Sequence, residues 1–61
     1  MDRTVDILHQ LRNHLGVVIT FGELILDDLA PDDGHRLDVA TMRKSALDGL
    51  ALVRELEQAA E

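Results

Sequence analysis

Apolar residues recur at intervals of three and four along two long stretches of the chain, which is the spacing of one face of an α-helix. The β-branched run from Val17 to Thr20 suggests a strand when taken alone, but helical spacing on both sides of it overrules that interpretation. The first stretch comprises Leu8, Leu11, Leu15, Val18, Gly22, Ile25 and Leu29, widened by Val5, Ile19 and Leu26. The second comprises Val39, Met42, Ala46, Gly49, Val53, Leu56 and Ala60.

A turn is predicted between the two stretches. Proline disfavours helical geometry in the residue before it, here Ala30, and Pro31-Asp32-Asp33-Gly34 is typical of a turn whose aspartates cap the next helix. We therefore predict helix 1 over about 4–30, a turn over 31–34 and helix 2 over about 35–60, all within a single domain over 1–61. Because the connection is short, the helices should run antiparallel as a hairpin.

The two apolar stripes are too wide for one hairpin to cover. A chain of 61 residues without cysteine cannot be stapled by disulfides, yet 46% of its residues are apolar, too many for a disordered segment. Small unstapled domains usually complete their core by oligomerising. The expected fold class is therefore all-α, an antiparallel two-helix hairpin that forms a homodimeric four-helix bundle.

Charge and hydropathy exclude several functions. A net charge of −6 and a pI near 4.7 argue against nucleic-acid binding. No apolar run reaches the roughly 20 residues that span a bilayer, and the opening Met-Asp-Arg-Thr does not begin a secretory signal. These features predict a cytoplasmic protein without membrane insertion. No metal site or cofactor is predicted for this chain alone, since His9 and His14 lie five residues apart, off the one-turn spacing of a helical metal pair.

The candidate chemistry lies in the segment from His9 to Leu15. Asn13 is one helical turn beyond His9 and shares its face, which Gly16 and Thr20 continue with small residues that leave room for another molecule. Imidazole is largely neutral at pH 7, so one ring nitrogen is free to attack phosphorus. The segment predicts a phosphorylatable histidine on a helical hairpin.

Several motifs together resemble a known family. They are His9-x-x-Arg12-Asn13-x-Leu15, the run 17–26 (VVITFGELIL), a short acidic turn, 42–46 (MRKSA) and 52–56 (LVREL). From about Val5 to Leu56 this pattern is similar to the dimerisation and histidine-phosphotransfer domain of bacterial sensor histidine kinases.

The resemblance implies roles for four residues. His9 would be the phosphoacceptor on the solvent side of the first helix, and Arg12 the basic residue beside the phosphoryl group. Asn13 would match the polar residue linked to dephosphorylating the partner. Gln10 stands where the family usually has Glu or Asp, which helps the imidazole act as a nucleophile, and His14 stands where it usually has proline. The implied partners are a second copy, a response-regulator receiver domain that carries Mg²⁺, and a histidine kinase ATP-binding domain.

The chain has no glycine-rich phosphate loop, and nothing after Leu56 could form a nucleotide-binding domain. We therefore expect a histidine phosphotransferase-type or receiver-docking module, without autokinase activity of its own, as a fragment or a free-standing relative of a kinase. Two alternatives stay open. One is a non-catalytic interaction protein that dimerises with, or inhibits, a sensor histidine kinase. The other is a plain dimerisation segment in which Gln10 marks a degenerate site.

Overall fold

Two helices of equal length make up almost all of the molecule. The computed structural model describes residues 2–60, in which α1 spans Thr4–Asp28 and α2 spans Arg36–Ala60. The helices pack against each other as an antiparallel hairpin of 50 × 14 × 11 Å, which confirms the predicted all-helical hairpin. Met1 and Glu61 of the predicted domain lie outside the described residues. Within residues 2–60, neither helix is long and apolar enough to cross a membrane.

The bounds of α1 follow from local chemistry at its ends. Asp2 Oδ1 accepts hydrogen bonds from the backbone N–H of Thr4, at 2.9 Å, and from the Thr4 hydroxyl. These bonds hold the pKa of Asp2 below its usual value. At the other end α1 stops at Asp28, because Leu29 is already extended, with φ −78° and ψ 139°. The sequence predicted that the helix ends at Ala30, and in the structure it ends two residues earlier.

The turn is closed by hydrogen bonds of Asp33. Its N–H donates to the Ala30 carbonyl at 3.0 Å, and its Oδ1 accepts the His35 N–H at 2.8 Å. The backbone and ring hydrogen bonds from His35 lower the pKa of Asp33. The turn aspartate therefore organises the entry into α2, as its position in the sequence predicted.

Arg36 stabilises the end of α1 from the first position of α2. Its Nη1 donates to the carbonyls of Leu26 at 2.8 Å and Leu29 at 2.9 Å. The last turn of α1 has no basic residue and ends in Asp27 and Asp28, which are unfavourable at the negative end of a helix. The guanidinium supplies the cation that this helix end lacks.

Two apolar faces can be distinguished on each helix. The inner face, turned to the other helix, is lined by Leu8, Leu15, Gly22, Ala46, Gly49 and Val53; four of these are buried, and Leu15 and Gly49 are half-buried. Other apolar side chains of the two helices are exposed, and eight of them follow three-four spacing on an outward face that we call the outer stripe: Ile7, Leu11, Val18, Phe21, Ile25, Met42, Leu52 and Leu56. Both faces have three-four spacing, so the sequence pattern merged them into one stripe per helix. A single partner helix covers only the inner face.

Candidate functional site

The antiparallel pairing brings the start of α1 against the end of α2, and His9 lies at this junction. Its Nε2 is 3.2 Å from Oε2 of Glu57, a residue of the last turn of α2. The side chain of His9 is 44% exposed. The imidazole is therefore accessible to another molecule while one of its nitrogens lies within hydrogen-bonding reach of a carboxylate.

Arg12 contacts the same carboxylate oxygen. Its Nη1 donates a hydrogen bond to Glu57 Oε2 at 3.2 Å. The side chain of Glu57 is only 10% exposed, and an isolated buried carboxylate is costly unless it is paired. Arg12 compensates that charge. The arginine that we expected beside a phosphoryl group is thus already placed one turn from His9, with one of its N–H groups engaged.

Gln10 and Asn13 are not drawn into this cluster. Both are exposed, and neither side chain hydrogen-bonds to another of the described residues. Asn13 lies one turn beyond His9 on the same face of α1, so it is placed beside the space in front of the imidazole. The roles predicted for Gln10 and Asn13 stay predictions.

Glu57 is the member of the cluster that the sequence patterns missed. It lies four residues after Val53, at a position of α2 that turns toward α1. A charged residue at an inward position is uncommon, because Glu is rarely buried unless it is paired. That irregularity was visible in the sequence as an acidic residue at apolar spacing, but its partner depends on the register between the helices.

The Glu57 carboxylate beside the ring suits His9 to act as a nucleophile through one ring nitrogen while the other ring nitrogen carries the proton. A carboxylate only accepts hydrogen bonds, so it favours an imidazole whose facing nitrogen carries the proton. The other ring nitrogen then keeps its lone pair. Among residues 2–60, no group of three or more His, Asp or Glu side chains is placed to hold a metal ion.

No protein-family model, no curated protein and no solved structure matches this chain. The resemblance to sensor histidine kinases therefore rests on the sequence motifs alone.

Proposed function

We propose that this chain is a two-component signalling module that exchanges a phosphoryl group between His9 and an aspartate of a response-regulator receiver domain. The observation that supports this most is a half-exposed imidazole within reach of a buried carboxylate, on a helix that a second helix holds in place. An incidental surface histidine does not need a buried acidic residue from another helix beside it.

Phosphoryl transfer depends mostly on positioning and charge neutralisation, both of which such a site offers. A lone pair of His9 attacks the phosphorus of the receiver's aspartyl phosphate, and the bond from phosphorus to the carboxylate oxygen breaks. Arg12 has further N–H groups for the phosphoryl oxygens, and the receiver supplies Mg²⁺. In the hydrolytic direction, Asn13 orients water toward the phosphoryl group on the receiver.

A second copy of the chain completes the fold in this proposal. The hairpin has 4778 Å² of accessible surface, whereas a compact monomer of 6.8 kDa has about 3,950 Å². The excess of about 800 Å² matches what each partner of a stable complex buries. The exposed outer stripe is the natural place for that burial, since it repeats at three-four spacing on both helices. Pairing along it gives a four-helix bundle that leaves His9 accessible.

The outer stripe also supports the alternative of a non-catalytic partner. An exposed apolar face with this spacing accepts a related hairpin as readily as a second copy. The chain would then pair with a sensor histidine kinase and inhibit it, without being phosphorylated. The absence of an acidic residue at position 10, where Gln10 stands, favours this reading over autophosphorylation.

Transfer of label from receivers separates these functions. Receiver domains phosphorylated with labelled phosphate are mixed with the chain in Mg²⁺, and acid-labile label on the chain is followed. We expect label on the wild type and on His14→Gln, but none on His9→Gln. Label that never leaves any receiver, together with formation of a mixed complex with a kinase, would favour the inhibitor instead.

A further inference from the structure

Arg54 is the one basic residue of α2 without an acidic or carbonyl partner among residues 2–60. Arg36 donates to two carbonyls of α1, and Arg43 and Lys44 each lie within 3.1 Å of a carboxylate oxygen. Arg54 is exposed, and no carboxylate of residues 2–60 lies within ion-pairing distance of it. The chain has 12 acidic residues for 6 basic ones, so a shortage of carboxylates does not explain the unpaired guanidinium.

The register of the hairpin places Arg54 opposite Arg12. Arg43 reaches across to α1, where its Nη2 lies 3.1 Å from Oε1 of Glu23. Arg54 comes eleven residues after Arg43, and Arg12 comes eleven residues before Glu23. Eleven residues are about three helical turns, and the helices are antiparallel, so both steps keep the same side of each helix and move the same way along the hairpin. Arg12 thus holds, opposite Arg54, the place that Glu23 holds opposite Arg43.

His9 lies beside this pair of arginines. Arg54 is three residues before Glu57 on the same side of α2, and Oε2 of Glu57 is 3.2 Å from both His9 Nε2 and Arg12 Nη1. On α1, His9 is three residues before Arg12, a rise of about 4.5 Å. Two guanidinium groups and one carboxylate leave a net positive charge next to the imidazole, in a chain whose net charge is −6.

The space on this side of the hairpin is open. A Cβ added at Gly16, one turn beyond Arg12, would meet no atom within 4 Å. Leu52 of the outer stripe is two residues from Arg54, which is about 200° around the helix. A second copy that pairs along the outer stripe therefore leaves the two arginines and His9 uncovered, and an anion can reach them.

We propose that Arg54 is a phosphoryl-binding residue: together with Arg12 it forms a pair of guanidinium groups, one from each helix, that holds the oxygens of a phosphoryl group at His9. This inference rests on the proposed phosphotransfer function. Two guanidinium groups set opposite each other repel, and a phosphoryl group between them removes the repulsion while accepting hydrogen bonds from both. Arg12 has N–H groups beyond the one that binds Glu57. The pair neutralises charge on the oxygens while a ring nitrogen of His9 attacks phosphorus.

The first test loads the folded protein with phosphoramidate, a small chemical phosphoryl donor. A ring nitrogen attacks phosphorus, the phosphorus–nitrogen bond of the donor breaks, and ammonia leaves with the imidazole proton as ammonium. Digestion with trypsin without acid then separates peptide 4–12, in which His9 is the only histidine, from peptide 13–36. Peptide 13–36 contains His14 and His35 and is the reference within the same molecule.

We expect Arg54→Gln to lower the rate of phosphorylation of peptide 4–12, relative to peptide 13–36, by about fivefold, because the phosphoryl oxygens lose one charged donor. Arg54→Lys keeps the charge but not the forked donor and should retain part of the rate. Lys44→Gln removes an equal charge about 15 Å further along α2 and should leave the ratio unchanged. An unchanged ratio in Arg54→Gln, or an equal decrease in Lys44→Gln, would overturn the inference.

The second test follows the arginine Nε–H signals by ¹H–¹⁵N NMR before and after phosphorylation with phosphoramidate. The signals of Arg12 and Arg54 should shift, whereas that of Arg43, which is paired with Glu23, should not. Neither shift should occur in His9→Gln treated in the same way. A shift of Arg12 without one of Arg54 would show that Arg12 acts alone and would refute the proposal. Because the donor is chemical, both tests are independent of whether a receiver exchanges phosphate with His9, which the labelled receivers decide.

Discussion

Replacing Leu52 with glutamate should separate the proposed dimer. Leu52 belongs to the outer stripe and is 61% exposed in the hairpin. Full burial of a leucine contributes about 1.5–3 kcal/mol, so covering the exposed part contributes about 1–2 kcal/mol per chain. A two-fold dimer contains the substitution twice, which makes the loss about 2–4 kcal/mol. The Kd of the dimer should therefore rise by at least about 30- to 800-fold.

Leu37→Glu is the matched control. Leu37 is on the same helix and is 75% exposed, but it lies away from both the inner face and the outer stripe. Sedimentation equilibrium over a range of concentrations gives both dissociation constants, and Tm should depend on concentration only in the proteins that dimerise. A wild-type chain that sediments as a folded monomer throughout would refute the reasoning. An equal effect of Leu52→Glu and Leu37→Glu would refute the assignment of the interface.

Three further predictions concern the hairpin itself. Arg36→Ala should lower the free energy of unfolding by about 1–2 kcal/mol in urea titrations, because the carbonyls of Leu26 and Leu29 lose a cationic donor. As a control, replacing the exposed Arg54 with alanine should change the free energy of unfolding by less than about 0.5 kcal/mol. Gly49→Ala, measured in the Leu52→Glu background, should raise the free energy of unfolding by about 0.5–1 kcal/mol, because alanine favours the helix and its Cβ would lie at an ordinary contact distance of 3.7 Å from Leu15 Cδ1. A decrease would mean that the close approach of the two helices requires glycine at this position. Because the pKa of Asp33 is lowered in the folded protein, its contribution to stability is present above the unfolded pKa of about 3.8 and is lost as pH falls through the folded value. The free energy of unfolding of Asp33→Asn should therefore fall less than that of the wild type between about pH 6 and about pH 3. An equal fall in the two proteins would contradict the capping role.

Most of the fold could be predicted from the spacing of apolar residues. Three-four periodicity identified both helices, and Pro31 identified the break between them. Assigning the faces was harder, because Leu15 and Leu11 fit the same spacing although one packs on α2 and the other is exposed. A helix with two adjacent apolar faces has one broad stripe in its sequence, and only the position of the neighbouring helix divides it.

The part of the cluster that lies on α1 is local in the sequence. His9 and Arg12 belong to one segment, and residues three apart share a helical face, although only the resemblance gave Arg12 a role beside His9. The sequence did not identify Glu57, which is 45 residues beyond Arg12 along the chain. That contact depends on the length of the turn and the register of the two helices, and no local pattern specifies either. The same register supplies a carboxylate beside His9, where position 10 carries an amide.

The central claim, that His9 exchanges a phosphoryl group with a receiver aspartate, is tested most directly by locating the phosphate. The chain is mixed with phosphorylated receiver domains and Mg²⁺, digested with trypsin without acid, and its peptides are analysed by mass spectrometry. Peptide 4–12 contains only His9, whereas peptide 13–36 contains His14 and His35. Our account predicts one phosphoryl group on peptide 4–12 and its disappearance when unphosphorylated receiver is added in excess. Phosphate confined to peptide 13–36, or absent from the chain with every receiver tried, would contradict it.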